Sequence, residues 1–134
     1  MIRHAKPGDI AAVLAIARYS FTAPDDRFGA AWLVHHIASP GVQLQVDAPG
    51  ASILRGFLLT EKYPTGTLVR AVAVASEFRQ QGVGRGLIEA LRGPVSAWVR
   101  VENTASRMLF EGCGFAPSPA PRKRNAASWC YYTR

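Results

Sequence analysis

The chain has 134 residues, 49% of them hydrophobic, and a formal net charge of +7 at pH 7. This length and composition predict one folded domain over residues 1–134, and with no apolar run near the ~20 residues that cross a membrane and no signal peptide, we expect a cytoplasmic protein without membrane contact. The charge suits a polyanionic partner, but the basic residues are spread along the chain and match no nucleic-acid motif, so nucleic acid stays open as a partner and is not favoured.

Hydrophobic periodicity predicts strands and helices that alternate along the chain. Proline and glycine clusters separate them. The predicted elements are a strand over 2–5, a helix over 10–21 with Asp9 as its cap, a helix from Phe28 to before Pro40, strands over 42–46, 52–61 and 68–74, a helix over 84–91, a strand over 95–101, a helix over 102–112, room for a short strand near Phe115, and a strand over 128–134. This order predicts a mixed α/β domain with one central sheet.

The stretch "FRQQGVGRGL", residues 78–87, follows a predicted strand and opens a predicted helix. Amides at a helix start have no partner inside the helix, glycine lets the backbone approach a ligand, and arginine binds phosphate through charge-assisted bonds. The pattern predicts a site for a phosphate or pyrophosphate. A P-loop is excluded because no Lys-Ser or Lys-Thr follows the glycines, and a dinucleotide-binding loop would follow the first strand. A tight turn with capping glycines is the plainer alternative.

The longer stretch "AVAVASEFRQQGVGRGLIEAL", residues 71–91, resembles the acetyl-CoA-binding signature of the GNAT N-acetyltransferase superfamily. Its core, [R/Q]-x-x-G-x-[G/A], is met by Arg79, Gly82 and Gly84. Residues 101–115, "VENTASRMLFEGCGF", resemble the second motif of the family, in which an Asn opens a helix that runs out in a Gly-Phe pair. Residues 2–16 resemble its first strand and helix.

The resemblance covers nearly the whole chain and implies the fold and the activity. The fold would be α/β, with a single mixed, mostly antiparallel central sheet flanked by helices. The activity would be acetyl-CoA-dependent transfer of an acetyl group to a primary amine of a small molecule or peptide, by direct attack. The alternative is a catalytically weak GNAT-fold module that binds acyl-CoA or associates with nucleic acid.

The resemblance also implies the residues that hold acetyl-CoA. The backbone of Val72, Ala73 and Val74 would pair with the pantetheine arm, and the Val74 amide would stabilise the tetrahedral oxyanion. Asn103 would bind the pantetheine arm or cap its helix, two roles we weigh equally. The pyrophosphate would be cradled by Arg79, Gln80, Gln81, Gly82, Val83, Gly84 and Arg85. Arg107 or Arg92 could reach the 3′-phosphate, although a solvated side chain is the plainer reading of each.

The resemblance supplies no general acid or base. Many family members carry a Tyr acid four residues before the Gly of the Gly-Phe pair, a position held here by Phe110, which we keep as a co-substrate contact. Ribosomal-protein alanine acetyltransferases place a Glu base where this chain has Trp98. The substitutes are Glu61 as base and, as acid, Tyr131 or Tyr132 on the last strand, where alternation sends the two side chains to opposite faces. The plainer alternative for Glu61 is an exposed charge at the end of a strand. The plainer alternative for the tyrosines is ordinary packing on the sheet.

Further candidates carry less weight. His35 and His36 lie on the helix that usually roofs the acceptor site, and histidine is a good base near neutrality. Cys113 and Cys130 predict no disulfide framework and read as small apolar side chains. We expect no metal, because no Cys/His cluster has ligand spacing. The acceptor is an unidentified amine, for which the basic surface favours a neutral or acidic molecule, and a homodimer is kept by analogy.

Overall fold

The computed structural model describes residues 1–20, 29–50, 53–121 and 128–134. Within these ranges seven strands form one sheet and four α-helices pack on its two faces. The strands are β1 (Ile2–His4), β2 (Val42–Asp47), β3 (Gly56–Tyr63), β4 (Gly66–Val74), β5 (Val95–Arg100), β6 (Ala116–Pro117) and β7 (Trp129–Thr133). The helices are α1 (Ile10–Ser20), α2 (Ala30–Ile37), α3 (Val83–Glu89) and α4 (Thr104–Gly112).

The strands lie in the order β1-β2-β3-β4-β5-β7-β6. Every neighbouring pair is antiparallel except β4 and β5, which run parallel because α3 carries the chain back between them. The predicted fold class, α/β with a single mixed, mostly antiparallel sheet flanked by helices, is therefore confirmed. Among the described residues, no helix combines the length and apolar character needed to cross a membrane.

The sheet buries side chains on both faces, which explains why its central strands are apolar at almost every position. Along β3, Phe57 and Leu59 face α1 and α2, whereas Leu58 faces α3. The core under α1 and α2 contains Val13, Ile16, Leu33, Leu44, Val46 and Ala73 among others. The core under α3 and α4 contains Val83, Leu87, Ile88, Ala97, Phe110 and Tyr132 among others.

A β-bulge interrupts β4 at Arg70. In the ladder with β3, Thr60 pairs with Val69 and Leu59 pairs with Ala71, so Arg70 is an extra residue with no partner. The bulge changes the alternation of faces, because Val69 lies in the core under α3 while Ala71 lies in the core under α1. A bulge of this kind re-aims side chains and bends the strand that carries it.

The predicted boundaries differ from the observed ones by a few residues. The strand predicted over 68–74, β4, begins at Gly66, two residues before the predicted start, and α3 begins at Val83. Asp9 does not occupy the N-cap position of α1; its carboxylate accepts the amide of Lys6 at 2.7 Å in the 3₁₀ turn Pro7–Asp9. Several positions covered by the predictions lie outside the described residues: Phe21, Phe28 and Ser52.

Candidate active site

β4 and β5 pair only over the first half of each strand. The parallel ladder starts with Thr67 opposite Val95 and ends with Val69 opposite Ala97, although both strands continue beyond that pair. The bulge at Arg70 follows the last pair directly. A gap therefore opens between the C-terminal halves of the two strands.

The backbone polar groups of Val72 and Val74 face this gap. The Ala75 amide donates to the carbonyl of Arg55 at 2.8 Å, and in antiparallel pairing residues alternate between bonding to the partner strand and pointing away from it. Ala73 therefore bonds to β3, while Val72 and Val74 present N–H and C=O groups to the β5 side. Of the three predicted backbone contacts, Ala73 has no polar group directed at the gap, and its side chain is buried under α1.

Two residues in the left-handed region shape the loop between β4 and α3. Gln80 has a φ of 61° and Gly82 a φ of 80°. None of the amides from Gln80 to Arg85 makes a hydrogen bond of standard geometry to another described residue, and the first bond of α3 runs from the Gly86 amide to the Gly82 carbonyl at 2.9 Å. Successive unpaired amides around left-handed residues form a concavity that suits an anion.

Gly84, by contrast, is a packing residue. A Cβ at this position would lie 3.2 Å from Cδ2 of Leu109 and 3.4 Å from Cγ2 of Val74. The absence of a side chain therefore lets α3 approach α4 and β4 closely. The loop motif at Gly84 has a structural explanation of its own, separate from any phosphate.

Arg79 bridges the end of β4 and the end of α1. Its Nε donates to the carbonyl of Val74 at 3.3 Å, and its Nη2 donates to the hydroxyl of Ser20 at 3.4 Å. Both bonds are exposed. A cleft of about 300 Å³ lies on this side of the loop, between α1 and the end of β4, with Ile16 and Leu54 in its lining.

Gln81 and Arg85 are exposed and bonded within the chain. The Gln81 amide group donates to the carbonyl of Glu77 at 3.2 Å, and Arg85 forms an ion pair with Glu89 at 3.2 Å, one helical turn away. Exposed bonds of this kind contribute little to stability. Both side chains can therefore turn toward an anion at small energetic cost.

Asn103 caps α4, since its Oδ1 accepts the amide of Ser106 at 3.1 Å. Its Nδ2 makes no hydrogen bond to a described residue, so the capping role leaves a donor for a ligand. Arg107 is not solvated as expected: it donates to the Tyr132 hydroxyl at 3.3 Å and to the Val101 carbonyl at 3.1 Å. These two hydrogen bonds hold the Arg107 side chain against the protein and away from the role of a phosphate ligand.

Phe110 belongs to the core under α4. It is 3% exposed, and its ring packs edge-on against Phe115 with centroids 5.0 Å apart. The ring of Tyr132 lies 6.4 Å away on another side. Such a side chain offers little surface to a co-substrate, so the predicted contact is replaced by a packing role.

Glu61 lies beside the bulge with two basic neighbours. Its Oε2 is 3.3 Å from Nε of Arg70 and 3.9 Å from Nε2 of His36. The His36 ring stacks on Trp32 with centroids 4.5 Å apart. The three titratable side chains come from β3, β4 and α2, and each is between one fifth and one third exposed. Sequence reasoning passed over Arg70, for which the only signal was a charge inside the apolar run "LVRAVAV".

Tyr131 and Trp98 are cross-strand partners on the face of the sheet that carries α1 and α2. Their ring centroids are 4.8 Å apart, and both side chains are half-buried. The neighbouring Tyr132 points to the opposite face, as the alternation predicted, and is fully buried. Burial raises the pKa of the Tyr132 hydroxyl, which donates to Glu111 at 2.7 Å. Tyr132 is therefore a structural residue.

The two cysteines are free and half-buried against the core under α3 and α4. Burial is the main cause that raises the pKa of the Cys113 thiol. A thiol held protonated in this way is a poor nucleophile. The raised pKa disfavours Cys113 as a nucleophile.

Comparisons with known proteins identify the fold. No protein-family model matches the sequence, and no curated protein matches it. Solved structures do: Ard1 from Thermoplasma volcanium superposes with a TM-score of 0.79 at 22% identity, covering 100% of this chain and 95% of that one. YncA from Salmonella typhimurium, solved with its cofactor acetyl-CoA, gives a TM-score of 0.75 at 16% identity, covering 100% and 92%.

A third structure is described as an acetyltransferase of the GNAT family, from Staphylococcus aureus. It superposes with a TM-score of 0.79 at 10% identity, covering 100% of this chain and 97% of that chain. Identities this low carry information about architecture only, but the coverage is close to complete in every case. The chain therefore has the fold of the GNAT acetyltransferases.

Proposed function

We propose that the protein is an acetyl-CoA-dependent N-acetyltransferase whose acceptor is a primary amine. Three features meet at one place: the gap between β4 and β5, the backbone groups of Val72 and Val74 directed into it, and the unpaired amides from Gln80 to Arg85 at its end. A long ligand with an anionic end and an amide-containing arm suits this combination. The solved structure of YncA with acetyl-CoA shows that a protein of this fold binds such a ligand.

In the proposed reaction, the thioester supplies an electrophilic carbonyl carbon and a good leaving group. A neutral amine attacks that carbon, the C–N bond forms, the C–S bond breaks, and the electron pair leaves with sulfur. The amide of Val74, next to the loop, donates to the pantetheine arm, and the amide of Val72, which lies nearer to Glu61, donates to the developing oxyanion. Glu61 takes the proton from the attacking nitrogen. Tyr131 stays the candidate donor to the leaving thiolate, because Phe110 carries no hydroxyl and is buried.

The observation that carries the proposal is the row of unpaired amides at the end of the β4–β5 gap. Gln81→Glu tests it, because it adds one negative charge at this row without changing the size of an exposed side chain. A carboxylate within a few ångströms of a bound pyrophosphate should weaken acetyl-CoA binding by about tenfold, which equals about 1.4 kcal/mol. Isothermal titration calorimetry with acetyl-CoA measures the change.

Gln43→Glu is the matched control, since Gln43 is exposed on β2 and the substitution changes the net charge equally. It should leave the affinity within twofold of the wild type. If both variants bind acetyl-CoA as the wild type does, the phosphate site is not at this loop. If the wild type itself fails to bind acetyl-CoA, the proposed function is wrong.

The buried position of Phe110 favours one second candidate, a protein that binds acyl-CoA without efficient transfer. Without a hydroxyl at this position, protonation of the thiolate depends on Tyr131 or on water. Release of free thiol from acetyl-CoA in the presence of a panel of amines separates the two functions. Binding without acceptor-dependent thiol release would favour the second.

A further inference from the structure

Four side chains form a row across the sheet at the point where β4 and β5 part. Arg70 and Trp98 directly follow the last β4–β5 pair, one on each strand. Glu61 lies on the β3 side of Arg70, 3.3 Å from its Nε, and Tyr131 packs on the outer side of Trp98. We call these four residues, Glu61, Arg70, Trp98 and Tyr131, the acceptor row.

All members of the row lie on the face of the sheet that carries α1 and α2. Val95, Ala97 and Val99 of β5 are buried under α3 and α4, so Trp98 faces the other way. Tyr131 does so because Tyr132 is buried under α4. Contact between Glu61 and His36 of α2 places the β3 end of the row on the same face.

Arg70 forms an ion pair with Glu61, with Nε as its nearest atom at 3.3 Å from Oε2, but the contact is not a hydrogen bond of standard geometry. Among the described residues, its two terminal nitrogens make no hydrogen bond. The Arg70 side chain is one-third exposed, so a ligand can reach it from solvent. A guanidinium whose terminal N–H groups have no partner can bind a carboxylate through two parallel hydrogen bonds.

The two charges of the row are adjacent and opposite, as are the ammonium and carboxylate groups of an amino acid. An amine beside Glu61 would place its own carboxylate beside Arg70. A dianionic phosphate suits the row less well than a singly charged carboxylate, because the Glu61 carboxylate, 3.3 Å from Arg70, repels two negative charges more strongly than one. The rings of Trp98 and Tyr131, with centroids 4.8 Å apart, supply an apolar wall for the rest of the molecule.

We infer that the acceptor is an amino acid with an apolar or aromatic side chain, bound with its amine toward Glu61 and its carboxylate on Arg70. The inference rests on the proposed function and narrows its acceptor to one chemical class. Arg70 acts as a specificity-determining residue, since it contacts the part of the acceptor that does not react. The basic net charge of +7 agrees with an acceptor that brings a carboxylate.

Three acceptors that differ only in the carboxylate test the inference: phenylalanine, phenylalaninamide and phenethylamine. With the full chain and saturating acetyl-CoA, kcat/KM for phenylalanine should exceed that for the other two by at least tenfold. Arg70→Gln should lower kcat/KM for phenylalanine by at least tenfold, mainly through KM, and change the values for phenylalaninamide and phenethylamine by less than twofold. Arg70→Lys, which keeps the charge but loses the fork, should lie between.

Arg3→Gln is the matched control, because Arg3 is also a partly exposed arginine paired with a carboxylate, but on β1 at the far edge of the sheet. It should keep the preference for phenylalanine. Equal use of the three acceptors, or a preference unchanged by Arg70→Gln, would overturn the inference while leaving the acetyltransferase proposal intact.

A protein that binds acetyl-CoA but transfers to none of the three acceptors still allows a decision. Calorimetry then measures binding of each acceptor to the protein saturated with coenzyme A. Binding of phenylalanine at least tenfold tighter than of phenylalaninamide, lost in Arg70→Gln, supports the inference without turnover. No binding, or equal binding, overturns it. Failure of acetyl-CoA itself to bind would count against the proposed function instead.

Discussion

The hydroxyl group of Tyr132 lies 2.7 Å from Oε2 of Glu111 and 3.3 Å from Nε of Arg107, so it joins the last long strand to α4. The phenol is fully buried and its ring belongs to the core. In the described part of the chain, β7 joins the rest of the sheet through β5 alone, because its other neighbour, the two-residue β6, is the edge strand. This pair of hydrogen bonds therefore helps to fix α4 on the β5–β7 side of the sheet.

Tyr132→Phe should destabilise the protein by about 1 kcal/mol, because it removes one hydroxyl that serves as both donor and acceptor and leaves the packing unchanged. Urea denaturation measures the change in the free energy of unfolding. The rate of acetyl transfer at a temperature where both proteins are folded should stay within twofold. A large loss of kcat with unchanged stability would make Tyr132 a catalytic acid and contradict its structural role.

Asp9 should make stability sensitive to acid. Hydrogen bonds from Arg3, at 2.7 and 3.1 Å, are the main cause that lowers the pKa of the Asp9 carboxyl. A carboxyl whose pKa is lower in the folded state stabilises the protein above its unfolded pKa of about 3.9, and this contribution is lost as the pH falls through the folded value.

Asp9→Asn should therefore be less stable than the wild type at pH 7, and its free energy of unfolding should fall less steeply below about pH 4. Urea denaturation between pH 3 and pH 7 measures both effects. Glu89→Gln is the control, because its exposed ion pair with Arg85 contributes little. Parallel pH profiles for the wild type and Asp9→Asn would show that the Arg3–Asp9 pair does not couple folding to pH.

Gly86→Ala should stabilise the protein by about 0.5–1 kcal/mol. Gly86 lies inside α3, has no positive φ, and a Cβ there would meet nothing within 4 Å. Glycine in a helix costs about this amount relative to alanine. Gly66→Ala should do the opposite, because Gly66 has a φ of 146° and its Cβ would lie 2.6 Å from the carbonyl oxygen of Pro94. Thermal unfolding of the two variants measures this contrast; a destabilised Gly86→Ala would show that the α3 surface is covered.

Glu61→Gln should reduce kcat for acetyl transfer by about 100-fold if Glu61 is the general base, since positioned bases contribute at least this much. The dissociation constant of acetyl-CoA should stay within twofold, because the loop and the gap are untouched. The rate of thiol release from acetyl-CoA, measured as a function of pH for the wild type and the variant, gives kcat and its pH profile. An unaltered kcat and pH profile would assign proton removal to another group, of which His36, 3.9 Å from Glu61, is the nearest.

The amino-acid sequence by itself determined the order of the elements and the place of the glycine loop. Hydrophobic period and turn residues are local properties, so the alternation of strands and helices could be predicted to within a few residues. The loop was found for the same reason, because "RQQGVGRG" is contiguous. The expectation of one mixed sheet also held, since it follows from the element order and the resemblance.

Tertiary structure alone decided which residues meet. The bulge at Arg70 depends on how β4 pairs with β3, and the gap depends on where β4 stops pairing with β5. The bulge and the gap both depend on the register in which strands far apart in sequence pair with one another. The contacts of Glu61 with Arg70 and His36 join β3, β4 and α2, so no pattern within one stretch of sequence could predict them.

The two glycine-motif residues Gly82 and Gly84 show the same division. The sequence marked both for the loop, but backbone conformation gives Gly82 its left-handed φ, whereas packing against Leu109 explains Gly84. Phe110 likewise stood at a family position for an acid, and its neighbours placed it in the core. The type of side chain and the local secondary structure follow from the order of residues. Burial and side-chain contacts depend on distant segments that only the fold brings together.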